Sequence, residues 1–296
     1  MPDQSVWFFS TQNFAIPTNF EKTETMMKKL TYTLLSMLLI AACSAPTKEK
    51  AAEEVVVPVG EVQYSTDSTN MNGYFALDQS SDAKRPGILV IHEWWGHNEH
   101  SRKQAEKLAK LGYVAFALDM YGDGKNTEHP DDAGKFMTAV VSNMDVAKAR
   151  FESALEQLKN HPNVDPEKIG VIGFCFGGTM ALSMANAGYD IDGVAAFHAG
   201  LGLPIMPSDG AVKARILVAN GADDPWVSEQ QVDDFKAAMD GAGASYKYIA
   251  YEGATHAFTN EAADELGEQF GLPLAYNAAA DSASWEEMKT LFSEVF

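Results

Sequence analysis

The chain has 296 residues, 46% of them hydrophobic, and a formal net charge of −19 at pH 7. That length fits one large domain with a leader rather than a small module, and the acidic balance repels phosphate backbones, which excludes nucleic acid as an expected partner. Two cysteines, Cys43 and Cys175, are too few for a disulfide framework.

The first patterned stretch is the leader. Lys28 and Lys29 form a basic start, residues 30–40 an apolar run, and Ala41 and Ala42 precede Cys43. This is the order of a secretory signal, and the run is short for a membrane span. The ending Leu39-Ile40-Ala41-Ala42-Cys43 resembles the bacterial lipobox, which implies cleavage before Cys43 and a lipid on its thiol. The expected organisation is an upstream segment 1–25 not kept in the mature protein, a lipoprotein signal peptide over 26–42, a polar tether over 43–58, and a folded domain over 59–296. Such a chain would be an exported bacterial lipoprotein, membrane-anchored through Cys43 and facing the periplasm. Ser44 after the lipidated cysteine is compatible with the outer membrane.

Within the domain, residues 59–65 and 71–77 alternate as a hairpin, with its turn at 67–70. Residues 87–92 are a continuous apolar run, as expected of a strand buried on both faces. Residues 101–111 repeat apolar positions at helical spacing and end at Gly112. A second buried strand follows at 113–118, then a polar loop at 119–130. Residues 131–160 read as one long helix or two. Further strands are expected at 170–174, 191–198, 215–219 and 246–251. Helices are expected at 228–239, capped by Ser228, and at 282–296, capped by Ser282. Strands alternating with helices at this pitch predict an α/β fold, a mostly parallel central sheet with helices on both faces.

The chain is organised around Gly170-Val171-Ile172-Gly173-Phe174-Cys175-Phe176-Gly177-Gly178. It reads as a strand, a sharp turn of the form Gly-x-Cys-x-Gly, and a helix among small residues. This is a nucleophile elbow carrying sulfur. Gly173 and Gly177 remove Cβ atoms that would block so tight a turn, and the helix N-terminus behind Cys175 favours a thiolate.

A thiol nucleophile needs a base, and the base an orienter. In the α/β-hydrolase order, nucleophile is followed by acid and then histidine. A strand runs into Gly221-Ala222-Asp223-Asp224-Pro225, and another into Gly253-Ala254-Thr255-His256. His256 is therefore the expected base and Asp224 the expected acid. Asp223 is its rival, since spacing does not separate neighbours, although the Gly-x-x-Asp pattern favours Asp224.

These segments, together with Ile91-His92-Glu93-Trp94-Trp95-Gly96-His97-Asn98 and Ala117-Leu118-Asp119-Met120-Tyr121-Gly122, resemble the dienelactone hydrolase family across about residues 59–296. The resemblance implies the α/β-hydrolase fold and a Cys175–Asp224–His256 triad. It also implies that Glu93 contacts the resting thiol and is displaced when substrate binds, and that the backbone N–H groups of Phe176 and Trp94 form an oxyanion hole. Trp94, Trp95, Tyr121 and Asn260 are the expected pocket residues. Asn260 stands where the family's small lactone hydrolases place a carboxylate-binding arginine, which sets dienelactone itself apart from the expected substrate.

The expected activity is cleavage of a small ester or lactone through a thioester acyl-enzyme, with no cofactor. The alternatives are a thioesterase or acyltransferase on the same scaffold, or a ligand-binding protein without turnover. His92-Glu93-Trp94-Trp95-Gly96-His97 approaches a zinc-protease pattern, but its second histidine comes one residue late and Gly96 follows a strand end, so no metal site is expected. His198 reads as a structural histidine, and Asp123, Asp131 and Asp132 as a solvated acidic face.

Overall fold

A computed structural model describes residues 59–296. The upstream segment 1–25, the expected signal peptide 26–42, the tether 43–58 and Cys43 all lie outside the described residues. Among the described residues, no helix is long and apolar enough to cross a membrane.

One sheet of eight strands runs in the order β1-β2-β4-β3-β5-β6-β7-β8. The hairpin β1 (Gly60–Ser65) and β2 (Asn70–Ala76) is antiparallel. β2 also pairs antiparallel with β4 (Val114–Leu118). The remaining strands, β3 (Arg85–Ile91), β5 (Val164–Phe174), β6 (Gly193–Phe197), β7 (Arg215–Gly221) and β8 (Tyr246–Tyr251), join β4 in parallel. The period of two along β3 divides the core. Leu89 and Ile91 face one layer, and Ile88 and Val90 the other, because successive side chains of a strand point to opposite faces.

The first layer contains α3 (Met144–Lys159), α4 (Phe176–Asn186) and α5 (Glu229–Gly241), through Phe151, Met180 and Phe235 among others. The second contains α1 (Glu99–Lys110) and α7 (Ala278–Val295), through Leu108, Met288 and Phe292. Helices thus cover both faces, as a parallel sheet requires.

The stretch 131–160 forms two helices, α2 (Pro130–Val141) and α3, because Asn143 interrupts it and caps the second by accepting from the Val146 N–H at 3.3 Å. Ser228 caps α5 in a reciprocal capping box with Gln231. The last helix corrects the expectation. Its cap is Asn277, not Ser282, and it begins at Ala278. The run Ala278-Ala279-Ala280 has the highest helix propensity available, so the helix extends past the serine to the next capping side chain. A helix not expected from the sequence, α6 (Ala263–Phe270), follows the expected histidine loop. Gly267 lies inside it and masks its helical pattern. A Cβ there would stand 2.5 Å from the Leu274 carbonyl oxygen, so packing, not propensity, chose glycine.

Candidate active site

Cys175 stands between the end of β5 and the start of α4, with φ 53° and ψ −116°. A non-glycine residue in this region stores roughly 1–3 kcal/mol of backbone strain. The glycines around it explain how the turn closes. A Cβ on Gly173 would lie 2.1 Å from the Gly177 carbonyl oxygen, and one on Gly177 would lie 2.3 Å from that of Ile91. The elbow therefore presses against β3 and against itself, and it leaves Cys175 partly exposed while both neighbours are buried.

His256 follows β8 and Asp224 follows β7. Nδ1 of His256 donates to Oδ2 of Asp224 at 2.7 Å, and both side chains are buried. The other carboxylate oxygen, Oδ1, accepts from the Trp226 N–H at 2.9 Å. Asp223 is exposed and its side chain has no part in this pair. The geometry thus separates the two aspartates that spacing could not. Burial alone would lower the His256 imidazole. The Cys175 sulfur, followed by the hydrogen bond with Asp224, outweighs it and pushes His256 up to about 10. Nε2 of His256 is buried and has no hydrogen-bond partner of good geometry. It lies in the field of the sulfur and is the nitrogen left to exchange a proton.

The two N–H groups expected to form an oxyanion hole come from different elements. Phe176 is the first residue of α4, where an N–H has no partner within the helix. Trp94 is the second residue of a turn closed by the Gly96 N–H donating to the Glu93 carbonyl at 3.2 Å, so its own N–H lies outside that bond. The Tyr121 hydroxyl donates to the Trp94 carbonyl at 2.8 Å, and its ring packs on Phe176 at a centroid distance of 5.3 Å. Tyr121 and Trp95 are each only 3% exposed. They lie beneath the site, whereas Trp94 keeps partial exposure.

Tyr121 is held in turn by Asp119, a residue whose role is not evident from sequence. The Asp119 carboxylate accepts from the backbone N–H groups of Tyr121, Gly122 and Gly124 at 2.8–3.0 Å. A loop that folds around one buried carboxylate in this way is rigid enough to position a tyrosine.

Glu93 is buried, and its Oε2 accepts from Nδ2 of Asn260 at 2.7 Å. Asn260 also lines a cleft of about 460 Å³ with Glu99, Lys103 and Asp281. His198 is buried, its Nε2 paired with the Thr259 hydroxyl at 2.9 Å and its ring edge-on to His256. Burial and then the His256 charge push it well below the usual histidine range, so it remains neutral. His92 donates from Nδ1 to the Glu93 carbonyl at 2.6 Å and accepts at Nε2 from the Met120 N–H at 3.2 Å. Both of its nitrogens are thereby committed to the backbone. On the outer face, Asp123 pairs with Lys125 and Asp132 with Lys135, and Asp131 is exposed.

Trp226 is the other residue that sequence reasoning missed. Its indole packs on the His256 ring at 4.5 Å and faces Trp94 at 6.1 Å, yet it stays 40% exposed. The only available signal was its place two residues after Asp224.

A family profile described as the dienelactone hydrolase family matches residues 71–296. A similar protein of Aquifex aeolicus (strain VF5), provisionally named a carboxymethylenebutenolidase, is 32% identical over 212 residues, covering 69% of this chain and 89% of that protein. The solved structure named m3DLH is 34% identical with a TM-score of 0.74, covering 80% of this chain and 97% of that one. The structure of a dienelactone hydrolase-like promiscuous phosphotriesterase from metagenomic libraries is 31% identical with a TM-score of 0.73, over 80% of this chain and 97% of that one.

Proposed function

The chain belongs to the dienelactone hydrolase family and is a hydrolase of esters or lactones, and from that premise we propose that it works through a Cys175–His256–Asp224 triad and a thioester acyl-enzyme. The observation that carries this reading is the buried His256–Asp224 hydrogen bond of 2.7 Å, joined to an imidazole that the Cys175 sulfur raises.

The steps follow from these groups. In the resting pair the Cys175 proton is already held at Nε2 of His256, which is charged. The sulfur attacks the carbonyl carbon, and the developing oxyanion is met by the N–H groups of Phe176 and Trp94. The bond from carbon to the leaving oxygen breaks, and His256 returns its proton to that oxygen. The sulfur in the thioester carries no charge. The influence that raised His256 most is then gone, and burial lowers the imidazole. It becomes neutral when a base is needed. Water gives His256 a proton, attacks the thioester, and the C–S bond breaks to release the acid. The residues use no cofactor in this sequence.

The test is hydrolysis of short p-nitrophenyl esters, small lactones and an uncharged phosphotriester by the protein and by Cys175→Ala. Mass spectrometry of a quenched reaction reads the acyl group on Cys175. Activity that persists in Cys175→Ala, or an acyl adduct elsewhere, overturns the triad.

We also propose that residues 26–42 direct export, that Cys43 carries a lipid anchor, and that 43–58 tether the hydrolase domain 59–296 to a membrane facing the periplasm. The support is the order of charge, apolar run and small residues before Cys43. Radiolabelled palmitate entering the protein but not Cys43→Ser is the expected result, and equal labelling of both refutes it.

A further inference from the structure

Most large aromatic side chains around Cys175 are spent on packing. Trp226 is not. Its backbone N–H is fixed by Oδ1 of Asp224, and its ring lies 4.5 Å from His256 and 6.1 Å from Trp94. The carboxylate that holds the histidine thus also holds the backbone of Trp226. The residue stays 40% exposed to solvent.

The direction of the reaction decides which part of a substrate would meet that face. In the proposed mechanism His256 gives its proton to the leaving oxygen, so this oxygen must come within hydrogen-bond reach of Nε2. Two rings flank His256; His198 is buried and Trp226 is exposed, so the group attached to that oxygen falls against Trp226. A flat π-system offers an indole the best contact.

Charge narrows the class further. Glu93 is buried with a neutral amide as its hydrogen-bond partner. The cations of the neighbouring elements are engaged elsewhere. Arg150 donates to the Met120 carbonyl, Lys125 pairs with Asp123, and Arg102 with Glu61. The lysines of the cleft beside Asn260 are committed as well, Lys103 to Glu99 and Lys107 to the Trp285 ring. A substrate carboxylate would therefore meet no free lysine or arginine among these, on a chain already strongly acidic.

Resting on the triad reading above, we infer that Trp226 is a stacking platform for the alcohol side of the substrate, and that the site takes uncharged esters of flat, aromatic alcohols in preference to carboxylate-bearing ones.

Three acetate esters test this with the acyl group and alkoxide class held constant: benzyl, cyclohexylmethyl and 4-carboxybenzyl acetate. Benzyl acetate should be preferred over cyclohexylmethyl acetate by about fivefold in kcat/KM, carried by KM. It should be preferred over the 4-carboxy ester by about tenfold or more. In Trp226→Leu, which keeps apolar bulk, the first ratio should fall to about one, and Trp226→Phe should restore it.

A benzyl to cyclohexylmethyl ratio near one in the unaltered protein overturns the platform. So does a ratio that survives Trp226→Leu, and equal use of the carboxylated ester overturns the charge selection. If none of the esters is cleaved, the triad reading fails separately, and the platform is judged by binding. Benzyl alcohol should then quench tryptophan fluorescence more than cyclohexylmethanol does in Cys175→Ala, and lose that difference in Cys175→Ala/Trp226→Leu. Equal quenching by the two alcohols would overturn it.

Discussion

The hydroxyl of Tyr121 donates to the main-chain carbonyl of Trp94 across 2.8 Å, and its ring rests on Phe176. A single side chain therefore touches both residues whose N–H groups would meet the oxyanion. Burial, and then the Cys175 sulfur, push its phenol far above the ordinary tyrosine range, so it stays a donor throughout the working range of pH. Tyr121→Phe keeps the ring and removes the donor. The expected result is a kcat lower by about tenfold with KM unchanged, since an oxyanion donor that drifts weakens only the transition state. Steady-state kinetics on one p-nitrophenyl ester read this, and a change confined to KM would contradict it.

The state of His256 is open to direct measurement. Its ordinary value of 6.5 is raised to about 10 in the fold, so the stabilisation from its charged form is complete below about 6.5 and is lost as pH rises through about 10. Carbon-detected titration of labelled histidine should show His256 charged across the neutral range. In Cys175→Ala the strongest raising influence is absent while burial remains, so the imidazole should lose its proton at distinctly lower pH. An unchanged titration would separate His256 from Cys175 and sink the proposed proton exchange.

Two glycines give opposite expectations for the same substitution. A Cβ on Gly177 meets the Ile91 carbonyl oxygen at 2.3 Å, and that backbone cannot retreat without moving β3. Gly177→Ala should destabilise by about 3 kcal/mol or more, or abolish soluble expression. Gly134 lies within α2, and a Cβ there meets nothing within 4 Å. Gly134→Ala should stabilise by about 0.5–1 kcal/mol. Urea unfolding midpoints compare both with the unaltered chain.

These contrasts also mark what could be read from the chain. The elbow was legible because its demands are local: a strand, a turn and the start of a helix within Gly170–Gly178, with glycines at fixed offsets from Cys175. The placing of Cys175, Asp224 and His256 in that order was legible because each follows a strand. Spacing did not separate Asp223 from Asp224, since neighbouring residues of a turn differ in direction, and only the Gly-x-x-Asp pattern favoured Asp224. Trp226 over His256 joins residues thirty positions apart, and Glu93 with Asn260 joins residues 167 apart. Neither leaves a periodic trace. The start of the last helix was misread because a serine looked like a cap, while the true cap, Asn277, lay ahead of an alanine run.

The Glu93–Asn260 pair is the part of the site where a neutral partner holds a buried carboxylate. The bond of 2.7 Å satisfies one oxygen of the buried Glu93. Asn260→Ala removes that donor and leaves the carboxylate in place, so it should cost about 1–3 kcal/mol, the penalty of an orphaned buried acceptor. Glu93→Gln combined with Asn260→Ala removes the charge as well, and should recover part of that loss. The two single variants and the double form a cycle whose coupling energy belongs to the pair. A coupling near zero by urea denaturation would mean that Glu93 is satisfied by other groups. A coupling above about 1 kcal/mol would show that Asn260 keeps the carboxylate in position.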